Sequence, residues 1–161
     1  MRSKAKKIIS FLNLKPLIPE GGYYIETFRG KEKTIIEGKE RQLLTAIYYF
    51  LKKGEVCKIH RLKSDEIWHF YLGDPVNIFL IHPDGKFEKK VLGNRIEKGE
   101  FPQVVIPQMV WQGAKLKKSG KYALMGSTVS PAFDFKDFEI AQKKNLEKEF
   151  PHLKKIIDKF F

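Results

Sequence analysis

The sequence has a single cysteine, few arginines and no apolar run long enough to cross a bilayer. Cys57 alone cannot close an intramolecular disulfide, and without a second cysteine there is no CxxC spacing for a zinc or redox site. A reducing, cytoplasmic setting is the simplest expectation. The shortage of arginine bears on the net charge of +12, which comes from 31 Lys+Arg against 19 Asp+Glu. The positive residues are nearly all lysines, scattered in ones and twos through turns and exposed faces, which suits bidentate contact to bases or phosphates poorly. Specific nucleic-acid binding is therefore not expected, and a Lys- and Glu-rich surface equally fits codon bias or life at high temperature.

The start, MRSKAKKIISFLNLK, has the basic residues of a signal peptide, but its apolar stretch is short, is broken by Ser10 and Asn13, and leads to no small-residue cleavage site. It reads instead as a helix over 1–15, with Ile8, Phe11 and Leu12 on one buried face and Pro16 ending the pattern. Gly21 and Gly22 then mark a turn before an aromatic, alternating strand, YYIETF. The segment GKEKTIIEGKERQ reads as an exposed polar loop. Short strand-like runs follow one another to about residue 130, separated by turn signals such as KKGE, GDP, HPDG, EKGE and KKSG. Many short strands with regular turns predict an all-β sandwich or barrel over 22–130. From 136 to 161 the pattern turns helical, with Leu153, Ile156, Ile157 and Phe160 on one side and Asp134 and Asp137 as start signals. At 161 residues, with no linker or repeat, a single domain is expected.

The candidates for chemistry gather in GEVCKIHRLKSDEIWHFYLG, residues 54–73. Alternation puts His60 and Leu62 on one face of a strand, and Glu66, Trp68 and Phe70 on one face of the next. If the two strands pair antiparallel, His60 and Glu66 converge inside the barrel, while His69 and Tyr71 point outward as structural residues. Beside a carboxylate the imidazole would be oriented for proton transfer near neutral pH. Trp68 and Phe70 would form an apolar wall, and Tyr24 with Glu26 would share a face of the first strand. Trp111, of opposite parity to Gln112, is expected on an outer face, and His82 and His152 at the surface.

Gly54, His60, Glu66 and Gly73 match the first motif of the cupin superfamily except at its second His, here Leu62. VVIPQMVWQGAKL resembles the second motif, with Met109 in place of the usual Gly and Gln112 in place of the His. More narrowly, PEGGYYIETF, KSDEIWHFYLGDP, the VVIP and VWQ segments and YALMGSTVSPAFDFKDFE resemble the cupin family DUF985, also called cupin 5, from about Pro16 to Pro151. There the segment before EGGYY commonly carries a His, where this chain has Ile18.

The resemblance implies a double-stranded β-helix, the cupin jelly-roll barrel, with helices added at both ends, like the sugar-nucleotide epimerases of this fold. Metal-binding cupins use three His and one Glu; the matching positions here give only His60, Glu66 and Gln112. No cofactor is therefore expected, with a divalent transition metal on those three residues as the alternative. The leading expectation is a small-molecule pocket for a sugar-like or carboxylate-bearing ligand, in which His60 and Glu66 carry metal-independent epimerase or isomerase chemistry. Gln112, Trp68, Phe70, Tyr24 and Glu26 would bind the ligand. A metal-dependent oxygenase or hydrolase and a non-catalytic binding or structural cupin are the rivals. A homodimer is expected, since a sheet apolar on both faces needs a covering layer.

Overall fold

The computed structural model describes residues 3–161, so the first two residues of the expected N-terminal helix lie outside the described part. The helix itself is α1, Lys4–Phe11, capped by Ser3, whose hydroxyl oxygen accepts from the Lys6 N–H at 3.4 Å. Its buried stripe differs from expectation. Ala5, Ile8, Ile9 and Leu12 face Leu14, Phe50 and Leu124, whereas Phe11 is 84% exposed. The former four fall at i, i+3, i+4 and i+7, so a helix resting on them turns Phe11 to solvent.

The strands follow in chain order: β1 (Lys15–Pro16), β2 (Tyr23–Arg29), β3 (Lys33–Ile36), β4 (Lys39–Gln42), β5 (Thr45–Lys52), β6 (Val56–Leu62) and β7 (Asp65–Gly73). After them come β8 (Val76–Ile81), β9 (Phe87–Leu92), β10 (Gln103–Ile106), β11 (Trp111–Leu116), β12 (Tyr122–Ser130) and β13 (Phe138–Ile140). Two short helices close the chain, α2 (Lys143–Glu149) and α3 (Lys154–Ile157). The segment read as a polar loop is a hairpin of β3 and β4, turned by Glu37 and Gly38 at φ 50° and 73°. Two consecutive positive φ values suit the twist of a tight hairpin, and its mostly polar strands hid it from the hydrophobic pattern. The expected C-terminal helical region also begins differently. Asp134 caps a short turn at Phe135–Asp137 by accepting from the Lys136 N–H, and Phe138–Ile140 is the strand β13.

Two sheets face one another, a six-stranded one in the order β1-β2-β5-β12-β7-β10 and a five-stranded one in the order β13-β6-β11-β8-β9. The expected pairing of β6 with β7 is therefore corrected. The short turn after Leu62 crosses from one sheet to the other, and β6 pairs with β11 and β13 while β7 pairs with β10 and β12. His60 and Glu66 face the same interior from opposite walls rather than from neighbouring strands.

Between the sheets lies the main core, with Leu51, Val76, Ile78, Leu80, Leu92 and Met125 among its fully enclosed residues. The chain's own ends supply covering layers outside. The stripe of α1 lies on the six-stranded sheet, and Leu146, Phe150, Leu153, Ile157 and Phe160 close over Ile59, Phe79, Ile81 and Trp111 of the other. Each such buried side chain contributes about 1.5–3 kcal/mol. Gly113 permits the close approach, since a Cβ there would stand 2.9 Å from a Phe160 ring carbon. Trp111 thus lies on the outer face under the C-terminal segment, with the Arg61 guanidinium 4.2 Å from its ring.

Candidate functional site

One end of the barrel opens into a cavity of about 330 Å³. Its apolar walls include Leu17, Ile47, Leu62, Trp68, Val129 and Phe138; its polar residues include Glu20, Glu26, Arg29, His60, Glu66 and Ser127. His60 and Glu66 are both almost fully buried. Trp68, Tyr24 and Glu26 line the cavity as their strand parity predicts. Phe70 and Gln112 do not: Phe70 packs into the core, and Gln112 lies behind Glu66.

His60 is held from three sides. Its Nδ1 lies 2.9 Å from the Lys58 carbonyl oxygen, which can only accept, so Nδ1 carries the proton and Nε2 is left as the acceptor. Phe138 of β13 stacks on the ring at 5.3 Å. Cys57 Sγ lies 3.8 Å from Nδ1. The ring is thus oriented by the backbone carbonyl, and Glu66 is not among its hydrogen-bond partners. Glu66 instead accepts from Gln112 Nε2 on one oxygen and from Ser127 Oγ on the other.

A carboxylate closely linked to His60 is Glu20, from the turn before β2. The Cys57 thiol donates to Glu20 Oε1 at 3.2 Å, and Glu20, Cys57 and His60 offer ligand atoms all within 4.8 Å of one another. Burial is the chief cause that raises the Glu20 pKa; His60 opposes it, Glu66 adds to it, and the thiol hydrogen bond opposes it. Burial likewise pushes the Cys57 thiol well up, with Glu20 adding to the effect. Tyr49 fixes the turn by donating to the Gly21 carbonyl at 2.9 Å.

A β-bulge brings Cys57 and His60 together. His60 is opposite Gln112 on β11 but Cys57 is opposite Ala114, so β6 spends one more residue than its partner across that interval. The Lys58 N–H in the bulge donates to the Glu20 carbonyl at 2.8 Å, tying the turn to the strand.

At the mouth, Arg29 is committed to protein partners. Its Nε and Nη2 donate to Glu26 at 2.9 and 2.7 Å, and Nη1 donates to Gln42 Oε1 and to the Phe133 carbonyl. The Trp68 indole N–H is buried without a hydrogen-bond partner. Outside the barrel, His69 binds Thr128 Oγ1 at 3.0 Å and stacks on Tyr71, in keeping with a structural role. His82 is half-buried rather than at the surface, 3.5 Å from Glu88, while His152 is exposed and contacts the Gly85 carbonyl.

The positions that would hold a cupin metal do not form a ligand shell. Leu62 offers no donor, Gln112 is turned onto Glu66, and both Glu66 oxygens already accept hydrogen bonds. Residues 6–141 match the family described as Cupin superfamily (DUF985).

The chain belongs to the DUF985 family of the cupin superfamily.

Among its DUF985 and cupin-fold likenesses is the uncharacterized protein YML079W of Saccharomyces cerevisiae, 29% identical, with the match covering 83% of this chain and 72% of the yeast protein. The crystal structure of protein SO0799 from Shewanella oneidensis is 34% identical and superposes with a TM-score of 0.89 over 99% of this chain and 98% of that one. A hypothetical protein from Leishmania major is 32% identical with a TM-score of 0.93, covering 98% of both chains. Bacillus subtilis oxalate decarboxylase, at 14% identity and a TM-score of 0.55 over 94% of this chain and 38% of its own, shares the fold alone.

Glu20, Cys57, Tyr49, Ser127 and Phe138 were not singled out as site residues from the sequence. Glu20 sits in the PEGGYY segment that carries the family resemblance, and Ser127 interrupts an inward-facing apolar series between Met125 and Val129. Those were the available signals. Nothing in the strand period marks Cys57, because the bulge breaks that period.

Proposed function

We propose that the DUF985 cavity binds a small, hydroxylated, sugar-like molecule and that His60 moves a proton on it without a metal, as an epimerase or isomerase does. The observation that carries this reading is the environment of His60: Nδ1 tied to the Lys58 carbonyl and Nε2 left to act in a buried cavity lined by Glu20 and Glu66. His60 Nε2 takes the proton from a carbon beside a carbonyl, and the electron pair moves onto the carbonyl oxygen. Glu20, whose carboxyl keeps its proton more readily than usual through burial, donates to that oxygen. Return of that proton from the imidazolium to the neighbouring carbon, while the Glu20 carboxylate takes up the proton of the hydroxyl on the first carbon as that oxygen becomes the new carbonyl, completes an isomerisation and restores both groups. Glu66, fixed by Gln112 and Ser127, faces the imidazolium formed. Because Arg29 is occupied by Glu26, the lining favours a neutral hydroxylated ligand over a carboxylate-bearing one.

The test begins with sugars and hydroxy-carbonyl compounds that raise the melting temperature, each then incubated with the protein in D₂O. Deuterium entering the ligand at carbon, and no longer doing so with His60→Ala while the ligand still binds, is the expected result. Exchange that persists in His60→Ala sinks the mechanism. Binding with no exchange for any ligand favours a non-catalytic binding cupin.

A second reading is supported by the clustering of Glu20, Cys57 and His60, which offers oxygen, sulfur and nitrogen donors within 4.8 Å of one another, the donor types that bind a transition metal such as zinc. Elemental analysis of untagged protein decides it: a stoichiometric metal lost in Cys57→Ser replaces the metal-free mechanism. A cytoplasmic homodimer belongs to the same proposal, and light scattering in solution tests the dimer.

A further inference from the structure

A second concavity, of about 670 Å³, lies on the outer face of the five-stranded sheet beside the C-terminal segment. Its rim is formed by the β5–β6 and β11–β12 turns and the end of the chain, and its floor by residues of β8, β9 and β11. Six of its fifteen lining residues are lysines: Lys53, Lys89, Lys115, Lys117, Lys118 and Lys159. The chain as a whole has 26 lysines in 161 residues, so the groove concentrates them beyond what composition supplies.

Pairing does not neutralise this charge. Lys117 shares Glu100 with Arg95, and Glu55, the lone carboxylate of the groove lining, pairs with Lys52 at 3.1 Å. Among the described residues Lys53, Lys89, Lys115, Lys118 and Lys159 have no ion-pair partner. Lys115 stands at the centre, half-buried, with Nζ 5.9 Å from the Phe79 ring and 5.6 Å from the Phe160 ring. Burial lowers its pKa, and the neighbouring Lys159 lowers it further. Like charges held together over an apolar floor repel, and an anion carrying several charges relieves that repulsion.

We propose that this groove binds a nucleoside di- or triphosphate, the lysine ammonium groups meeting the phosphates and the half-buried Phe87 ring lying against the base. A concavity of this size suits one small molecule, whereas the scattered lysines and few arginines elsewhere offer no continuous track for a nucleic-acid strand. The site is separate from the barrel cavity and stands or falls independently of the chemistry proposed there.

The test is calorimetric titration of the full chain with ATP, inorganic tripolyphosphate, adenosine and a single-stranded oligonucleotide, at low and at physiological salt. ATP should bind most tightly, tripolyphosphate more weakly, and adenosine not measurably, with affinity falling as salt rises. The double variant Lys115→Gln, Lys159→Gln should lose at least about tenfold in ATP affinity with a melting temperature equal to or above the parent's. Lys4→Gln, Lys6→Gln, Lys7→Gln on α1, which covers the other sheet, should leave binding intact, as should His60→Ala. The proposal is overturned if ATP does not bind, or if the α1 variant loses as much as the groove variant. Loss of binding in His60→Ala, tripolyphosphate as tight as ATP, or an oligonucleotide tighter than ATP each overturns it as well.

Discussion

Cys57 and His60 stand three residues apart on β6, yet both face the barrel interior, with Sγ and Nδ1 3.8 Å apart. In a regular strand that odd separation would put them on opposite faces. The extra residue of the bulge restores them to one side, and the Lys58 carbonyl inside it fixes the imidazole. Backbone irregularity here does the orienting that a carboxylate partner was expected to do.

The Cys57 thiol is buried and its pKa is pushed well up. In the folded protein it should be inert to a disulfide reagent such as Ellman's at mildly alkaline pH, and should react with a stoichiometry of one thiol per chain once urea unfolds the protein. Rapid modification of the native protein would contradict the buried, hydrogen-bonded position.

Glu20 gives a pH signature of definite sign. A carboxyl with a higher pKa folded than unfolded binds its proton more tightly in the folded state. Its stabilising contribution is complete below the unfolded pKa and is lost as pH rises through the raised folded value. Glu20→Gln, which keeps a neutral side chain at every pH, should therefore become progressively more stable relative to the parent as pH rises. Urea midpoints measured from about pH 4 to about pH 8 would check this.

Glu100 should do the opposite. Its side chain is buried; the Arg95 guanidinium donates to it, as does the Arg95 N–H at 3.1 Å, and its pKa is held down to about 2. A depressed folded pKa contributes stability above the unfolded value, and that stability is lost as pH falls from the ordinary 4.5 towards about 2. Glu100→Gln should be less stable than the parent at neutral pH, and the two midpoints should converge in acid.

Ser127 donates to one oxygen of the enclosed Glu66 carboxyl, and Gln112 to the other. Ser127→Ala strands one acceptor in a buried setting and should cost about 1–3 kcal/mol in equilibrium unfolding. Ser127→Thr, which keeps the hydroxyl, should cost less. An equal loss in both would point to crowding rather than the missing hydrogen bond.

The all-β sandwich or barrel and the shared faces of His60 with Leu62, of Glu66 with Trp68 and of Tyr24 with Glu26 were legible because they follow from the strand period of two and from turn signals that count strands, whereas the jelly roll itself came with the family resemblance. Gln112 had the correct parity yet does not line the cavity: parity assigns a face, and burial depth along the barrel decides whether a side chain reaches open space. The β3–β4 hairpin and β13 were missed for a different reason. Both are short and little buried, so their backbone pairing is specified by neighbours rather than by their own apolar pattern.

The all-β class and the faces that His60, Glu66 and Trp68 take on their strands were written in the sequence itself, because alternation and residue type are local properties of the chain. The tertiary structure decided that β6 and β7 occupy opposite sheets, that a bulge sets Cys57 beside His60, and that Glu20 joins them from a turn 37 residues before Cys57. Those relationships depend on register and on contacts across long stretches of chain, which no local pattern encodes.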